Sequence, residues 1–130
     1  MKLKNLALIG LVSACASLSA YASGSDNYPD RSISFIVPFS TGTGSDTIAR
    51  LMADAMSGPL GQSIIVENRG GAGGITGTKY GADAKPDGYV LTVGTSSTLI
   101  TNPALNPLAQ YNVERDFSPV TGLGRAYYVI

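Results

Sequence analysis

The chain contains 130 residues, in which nine lysine and arginine side chains balance nine aspartate and glutamate side chains. This balance leaves no basic surface for a nucleic acid or an anionic membrane, and a single cysteine cannot form a disulfide within the chain. No histidine is present, so the commonest general base and metal ligand is missing. We therefore expect no metal site.

The N-terminal region has the organisation of a secretory signal peptide over residues 1–22. Lys2 and Lys4 give it a positive start, residues 6–12 form an apolar run, and small residues up to Ala22 suit a signal peptidase. We predict export and cleavage after Ala22. Serines interrupt the run before it reaches the ~20 apolar residues of a membrane span. Cys15 lies in a sequence similar to a lipobox, so a lipoprotein anchored through Cys15 is the alternative.

The residues after the leader alternate between patterns typical of strands and of helices. Residues 23–30 are polar and turn-rich, and we expect a flexible segment. A strand is predicted over 32–38 and a helix over 46–56, which Gly58 and Pro59 end. Apolar side chains recur on this helix at helical spacing and predict one buried face, formed by Ile48, Leu51, Met52, Ala55 and Met56.

Two further strands complete the predicted sheet. The second strand is expected over 63–67, followed by a helix over 74–84 and a turn at 86–88, and the third strand over 89–93. Strands that alternate with helices and are apolar on both faces favour a parallel sheet flanked by helices. The predicted fold class is therefore α/β.

The last part of the chain has a less regular pattern. Residues 96–115 are expected to be irregular, with Asn102-Pro103 and Asn106-Pro107 as breaks. Residues 126–130 are apolar and have the pattern of a strand that stops without a polar tail. We therefore expect a truncated chain, in which residues 31–130 are an incomplete domain.

Candidate ligand-binding residues follow each predicted strand. After the first strand come Phe39, Ser40, Thr41, Gly42, Thr43, Gly44 and Asp46. After the second come Gly71, Ala72, Gly73 and Gly74, and after the third come Thr95, Ser96 and Ser97. Parallel strands end at one edge of their sheet, where small polar ligands bind. Glycines let a ligand approach the backbone, and helix N-termini point unpaired N–H groups at it, so we predict an anion site.

Simpler interpretations of the same residues stay open. One alternative is that Asp46 caps the helix without contacting a ligand, and that the hydroxyls are ordinary loop residues. Arg69 can pair with an anion or with its neighbour Glu67. The glycines from Gly71 to Gly77 are spaced one residue too far apart for G-x-G-x-x-G, and no loop has the lysine of a phosphate-binding loop. Because neither nucleotide-binding motif is present, we expect no cofactor. No serine nucleophile motif follows a strand, so we expect no catalytic residue.

Several short blocks occur together and in unbroken order over nearly all of the chain after the leader. They are Tyr28-Pro29-Asp30-Arg31, Ile36-Val37-Pro38-Phe39, Ala49-Arg50-Leu51, Leu60-Gly61-Gln62, Val66-Glu67-Asn68-Arg69, Gly71-Ala72-Gly73-Gly74, Pro86-Asp87-Gly88-Tyr89, Asn102-Pro103-Ala104-Leu105 and Asp116-Phe117-Ser118-Pro119-Val120. Together these blocks resemble the Bug-type (TctC-like) solute receptors of bacterial tripartite tricarboxylate transporters. One departure is Ser40-Thr41-Gly42-Thr43, where many relatives have prolines and a Gly-Gly pair.

The resemblance implies a two-lobed periplasmic-binding-protein fold of type II, with residues 31–130 in the N-terminal lobe. It implies non-catalytic capture of a small organic carboxylate in the periplasm, a di- or tricarboxylate, for delivery to membrane permease subunits. The glycine loops would then hold a carboxylate through backbone N–H groups, hydroxyls and water. We expect a monomer. A sensor receptor, soluble or lipid-anchored, and an exported hydrolase or isomerase are the alternatives.

Overall fold

The computed structural model describes residues 27–125, which form a parallel sheet of three strands with helices on both faces. The strands are β1 (Ile33–Val37), β2 (Ile64–Asn68) and β3 (Val90–Thr92). The central strand is β1, whose Phe35 lies opposite Val66 of β2 and Leu91 of β3. The predicted α/β fold with a parallel sheet is confirmed, and each strand begins one residue after its predicted start.

Helix α1 (Gly44–Leu60) begins two residues earlier and ends four residues later than the sequence pattern predicts. Its N-cap is Thr43, whose side-chain oxygen accepts the N–H of Asp46. Asp46 therefore lies in the first turn, and its prediction as the cap is wrong. Pro59 lies inside the last turn and does not end the helix. The helix ends before Gly61, whose φ of +65° is the left-handed conformation that glycine adopts without strain.

Helix α1 packs against one face of the sheet through small side chains. Ala49 and Ala53 are buried, and Ala49 belongs to a core cluster with Phe35, Val37 and Val93. The predicted buried face is partly wrong, because the side chains of Ile48 and Leu51 are 41% and 65% exposed. The alanines let the helix approach the strands closely, so the helix turns its larger apolar residues toward solvent. Apolar spacing alone does not decide between two overlapping stripes.

Helix α2 (Ile75–Ala82) covers the opposite face and lies within the helix predicted over 74–84. Its glycines lie against the backbone and side chains of the sheet. A methyl group added to Gly77 would overlap the carbonyl oxygen of Arg69 and would lie 2.7 Å from the Cα of Pro38. A methyl group on Gly81 would overlap the hydroxyl of Thr92 in β3. Glycine at these positions is therefore explained by close packing.

The region after β3 is more helical than predicted for residues 96–115. A π-helical turn (Ser97–Thr101) leads directly into the short helix α3 (Asn102–Leu105), and helix α4 (Val113–Asp116) follows. Pro103 does not break this region, because it occupies the first turn of α3, where a backbone N–H has no partner within the helix. The expectation of an irregular segment is wrong for these residues.

The first described residues are tied to the turn before β3. The hydroxyl of Tyr28 donates to the carbonyl of Gly88 (2.8 Å), and the hydroxyl of Tyr89 donates to Asp30 (2.6 Å). Residues 28–30 therefore make specific contacts, although the sequence predicts a flexible segment over 23–30. The predicted leader and the predicted strand over 126–130 lie outside the described residues. Within 27–125, no helix has the length and apolar character needed to cross a membrane.

Candidate functional site

Three loops lie together at one edge of the sheet because the strands before them are parallel. We call them loop 1 (residues 38–43), loop 2 (69–74) and loop 3 (93–97). Direct hydrogen bonds join them or the helices that follow them. The side-chain amide of Asn68, at the end of β2, donates to the carbonyl of Phe39 in loop 1 (3.1 Å). The amide of Asn102 in α3 donates to the carbonyl of Gly73 in loop 2 (3.0 Å).

Loop 2 is a run of left-handed backbone. The φ angles of Gly71, Ala72, Gly73 and Gly74 are +133°, +47°, +66° and +93°. Ala72 is the unusual member, because a residue with a Cβ is strained in this region and such strain clusters at binding sites. The N–H groups of residues 70–73 make no hydrogen bond to the described part of the chain. Successive free N–H groups in a turn of this kind form a concave donor surface that suits an anion.

Loop 1 leads into the N-terminus of α1, where two more backbone donors are free. The N–H groups of Gly44 and Ser45 have no partner among residues 27–125, as expected for the first turn of a helix. The N–H of Gly42 is already used, since it donates to the carboxylate of Asp46 (2.8 Å). Loop 2 and the N-terminus of α1, which directly follows loop 1, therefore present separate sets of free N–H groups at the same edge of the sheet.

The carboxylate of Asp46 is buried beneath loop 1 and held by several donors. Arg50 contacts it through Nε (3.1 Å) and Nη2 (2.9 Å), and the side-chain amide of Asn68 donates at 2.9 Å. The hydrogen bond from Arg50, together with the bonds from Gly42 and Asn68, lowers the pKa of Asp46 from 3.8 to about 2. Asp46 is therefore an anion at neutral pH and a structural part of loop 1.

We expect the Asp46→Asn variant to be less stable than the wild-type protein at neutral pH and less sensitive to acid. The folded pKa lies below the ordinary value, so the ionised carboxylate stabilises the fold above about pH 4, and this stabilisation is lost as the pH falls toward about 2. Urea unfolding at several pH values across this range measures how steeply the free energy of unfolding falls with pH. Asp116, whose pKa Arg115 also lowers to about 2, leaves part of the slope in place. An unchanged slope would contradict this account of Asp46.

The hydroxyls of loop 3 are largely engaged with one another. The hydroxyls of Thr95 and Ser97 lie 2.8 Å apart, and the N–H of Thr95 donates to the hydroxyl of Thr98 (2.9 Å). Thr98 is buried, and its carbonyl accepts the hydroxyl of Tyr111 (2.5 Å). Among the candidates in loop 3, Ser96 is exposed. Loop 3 is thus a wall of the site whose hydroxyls are mostly engaged, while the N–H groups of Gly94, Ser96 and Ser97 have no partner among residues 27–125.

The glycines of the site fall into two groups. A Cβ on Gly71 would lie 2.8 Å from the hydroxyl of Thr76, and a Cβ on Gly74 would lie 2.6 Å from the methyl of Thr98. Packing therefore explains these two glycines. A Cβ on Gly42 or Gly44 would meet nothing within 4 Å, and Gly44 has no positive φ. Neither backbone conformation nor packing among the described residues requires a glycine at position 44.

Arg69 is engaged by its neighbours on the face of the sheet that carries α2. Its guanidinium donates to Glu67 (2.8 Å) and lies over the ring of Tyr80, 3.7 Å from the ring centre. Of the two interpretations of Arg69, the structure shows pairing with Glu67.

Three polar residues with a part in the site were not among the predicted ones: Arg50, Asn68 and Asn102. Asn68 is the last residue of β2, and Asn102 precedes a proline at the start of α3. An asparagine at a strand end before a glycine loop is a usable sequence signal, because its side chain can bond to backbone on both sides. The i,i+4 spacing of Asp46 and Arg50 is also a local signal, whereas the partners of Asn68 lie up to 29 residues away and no local pattern indicates them.

A second concave region lies at the opposite edge of the sheet, near the starts of β1 and β3. This cleft has a volume of about 590 Å³ and is lined in part by Arg31, Asp83, Lys85 and Asp87. Arg31 is paired with Asp87 (3.0 Å), so acidic and basic groups are mixed there. Small ligands of parallel α/β sheets bind at the carboxyl ends of the strands. We therefore assign the candidate site to the edge with the glycine loops and not to this cleft.

Comparison with known proteins identifies the family. The sequence model of the family described as "Tripartite tricarboxylate transporter family receptor" (TctC) matches residues 48–130 of this chain. The chain belongs to this family. BugT from Bordetella pertussis is 42% identical over 120 residues, which is 92% of this chain and 36% of BugT. The resemblance to Bug-type, TctC-like receptors is confirmed. The chain spans about a third of the length of the curated relatives it matches.

Solved relatives show the fold and name two ligands. MatC from Rhodopseudomonas palustris, solved with bound malate, is 42% identical with a TM-score of 0.68, over 72% of this chain and 32% of MatC. A second R. palustris protein, solved with adipate, is 37% identical with a TM-score of 0.54, over 55% of this chain and 24% of that protein. Other solved relatives are described as a periplasmic transporter and a periplasmic binding protein, and the fold prediction is confirmed.

Proposed function

We propose that this protein is the periplasmic receptor of a tripartite tricarboxylate transporter and captures a small organic carboxylate at the glycine loops. The observation that carries the proposal is the set of free backbone donors at one edge of the sheet, formed by residues 70–73 together with Gly44 and Ser45. Family membership supports the class of function, and the malate and adipate of the solved relatives support the class of ligand.

The donors of the two loops match the chemistry of a carboxylate. Each carboxylate oxygen accepts more than one hydrogen bond, and backbone N–H groups provide such bonds without the entropy cost of ordering long side chains. The N-terminus of α1 adds a partial positive charge at Gly44. The receptor needs no cofactor and performs no chemistry. It acts as a monomer that passes its ligand to membrane permease subunits.

A thermal-shift screen tests the proposed function. The protein as its gene encodes it is heated with acetate, malate, adipate, citrate and the amides of these acids. A ligand that binds only the folded state at 100 times its Kd adds about 2.7 kcal/mol of stability and raises Tm. We expect a shift with at least one di- or tricarboxylate and a much smaller shift with its amide at the same concentration. No shift with any carboxylate at millimolar concentration would refute the proposal.

We expect the Arg69→Ala variant to bind the same carboxylate less than about tenfold more weakly than wild type, a difference below ~1.4 kcal/mol. Arg69 already pairs with Glu67 and stacks on Tyr80, so it is not free to hold a ligand. Calorimetric titration gives the Kd of both proteins. A loss of several hundredfold would show that an ion pair with Arg69 dominates binding.

Export is the remaining part of the proposal. We expect the mature periplasmic protein to begin at Ser23, because the leader pattern of residues 1–22 ends with Ala22. Intact-mass analysis of the periplasmic fraction measures the first residue directly. A diacylglycerol adduct on Cys15 would establish the lipoprotein alternative, and unprocessed protein in the cytosol would rule out both.

A further inference from the structure

An anion of the protein itself lies within the proposed anion site. The carboxylate of Asp46 is only 4% exposed and accepts the N–H of Gly42 in loop 1. It belongs to the first turn of α1, whose free donors at Gly44 and Ser45 are part of the proposed site. A fixed negative charge next to a bound carboxylate repels it, and the repulsion is strong where water does not screen it. Binding at loop 1 therefore requires that this charge is cancelled.

Arg50 is the positive group that contacts this carboxylate. Its guanidinium meets both carboxylate oxygens, Nε to Oδ2 and Nη2 to Oδ1, and the other two donors, Gly42 and Asn68, are uncharged. The side chain of Arg50 is 48% exposed and lies one turn along α1 from Asp46. The pair is thus oriented with its acid beneath loop 1 and its base toward solvent.

Asn68 fixes the geometry of this pair relative to both loops. Its amide nitrogen donates to the carbonyl of Phe39 and to Asp46, and its amide oxygen accepts from Thr41 and Arg50. All four hydrogen-bonding positions of the side chain are used. Since Asn68 is also the residue that precedes loop 2, it locks the Asp46–Arg50 pair between the two loops.

We propose that Arg50 is a charge-compensating positioning residue for the carboxylate site, which cancels the negative charge of Asp46 so that an anionic ligand can bind at loop 1. This inference rests on the proposed function and goes beyond it, because Arg50 acts through Asp46 without touching the ligand. Charge compensation and simple bracing of the loop make different predictions. Bracing alters the affinity for any ligand of the site, whereas charge compensation alters the preference for a carboxylate over its uncharged amide.

The test measures this preference, the ratio of carboxylate affinity to amide affinity, in a series of variants that changes charge stepwise. The probe is the tightest-binding of malate, adipate and citrate, with its amide, titrated into the protein as its gene encodes it. Arg50→Gln leaves Asp46 uncompensated, and the ratio should fall at least about tenfold. The double variant Asp46→Asn/Arg50→Gln restores neutrality, and the ratio should return to within about threefold of wild type. Asp46→Asn alone leaves Arg50 unpaired and should raise the ratio above wild type.

The matched control is Lys79→Gln, which removes another ion pair of i,i+4 spacing, between Lys79 of α2 and Asp83, the residue that caps the end of α2. Its ratio should equal that of wild type. An Arg50→Gln protein that loses carboxylate and amide affinity equally, or a double variant no better than Arg50→Gln, overturns the inference. If Arg50→Gln does not fold, the other two variants still decide the inference. The ratio of carboxylate affinity to amide affinity must then be higher for Asp46→Asn than for the double variant. A wild-type protein that binds no carboxylate refutes the proposed function as well, which separates the two failures.

Discussion

The Gly44→Val protein is expected to lose at least about a hundredfold in carboxylate affinity, equivalent to ~2.7 kcal/mol, while folding as stably as wild type. Gly44 is the first residue of α1, has no positive φ, and has no neighbour within 4 Å of the position of a Cβ. The fold therefore accepts a side chain there, and we expect this side chain to block a ligand from the free N–H groups of Gly44 and Ser45. Unfolding stability should change by no more than ~0.5 kcal/mol.

The matched control for this prediction is Gly58→Val in the same helix. Gly58 also has open space around the position of a Cβ, but it lies near the opposite end of α1. Calorimetric titration and urea unfolding are measured for both variants, and Gly58→Val should bind as wild type does. A Gly44→Val protein that binds as tightly as wild type would show that the ligand does not lie against α1. Gly73→Val is a weaker test, because φ is +66° at Gly73 and a valine would strain the backbone.

The Gly77→Ala protein is expected to be destabilised by about 3 kcal/mol, a large effect for one added methyl group. The methyl group would overlap the carbonyl oxygen of Arg69 and approach the Cα of Pro38. Both neighbours are backbone atoms at the ends of β1 and β2, so relief requires α2 to move away from the sheet.

Urea unfolding of Gly77→Ala beside Gly58→Ala measures this difference. The control also adds one methyl group to a helix, with no contact within 4 Å apart from its chain neighbours, and should change the stability by less than ~1 kcal/mol, because the helix preference of alanine is offset by the steric restriction on a residue that precedes Pro59. If Gly77→Ala were as stable as wild type, the close contact of α2 with the strand ends would be wrong.

The sequence predicts the sheet well because its strands carry strong local signals. The apolar runs that form β1 and β2 each begin directly after a serine, Ser32 or Ser63, and the error at each start is one residue. The ends of α1 are less accurate, because they depend on which residue caps the helix. Thr43 and Gly61 cap the helix. Asp46 and the pair Gly58-Pro59 are competing local signals for its two ends.

The buried face of α1 shows where local pattern stops being sufficient. Ile48 and Leu51 fit the period of an amphipathic helix as well as Ala49 and Ala53 do. The choice depends on how closely the helix can approach Phe35 and its neighbours in the sheet, and small residues allow the closer packing. That distance is a property of the assembled sheet and helix, which spacing along one segment does not contain.

The candidate site, too, is predicted in part by local sequence pattern and depends in part on contacts that form only in the folded chain. The glycine loops and their common edge follow from strand order and glycine content, both of which are readable in the sequence. The network of Asp46, Arg50 and Asn68 joins residues from a helix and from the next strand, and only the folded chain brings them together. Asn102, which holds the carbonyl of Gly73, lies in a helix that the pattern of prolines conceals.

The most direct test of the central claim is an amide NMR titration of the protein, as its gene encodes it, with malate and adipate. Hydrogen bonds from backbone N–H groups to a carboxylate shift the amide proton and nitrogen resonances of the donors. The account predicts the largest shifts at residues 70–73, Gly44 and Ser45, whose N–H groups are free among the described residues. Shifts centred on Arg31, Lys85 and the cleft at the opposite edge of the sheet would contradict it.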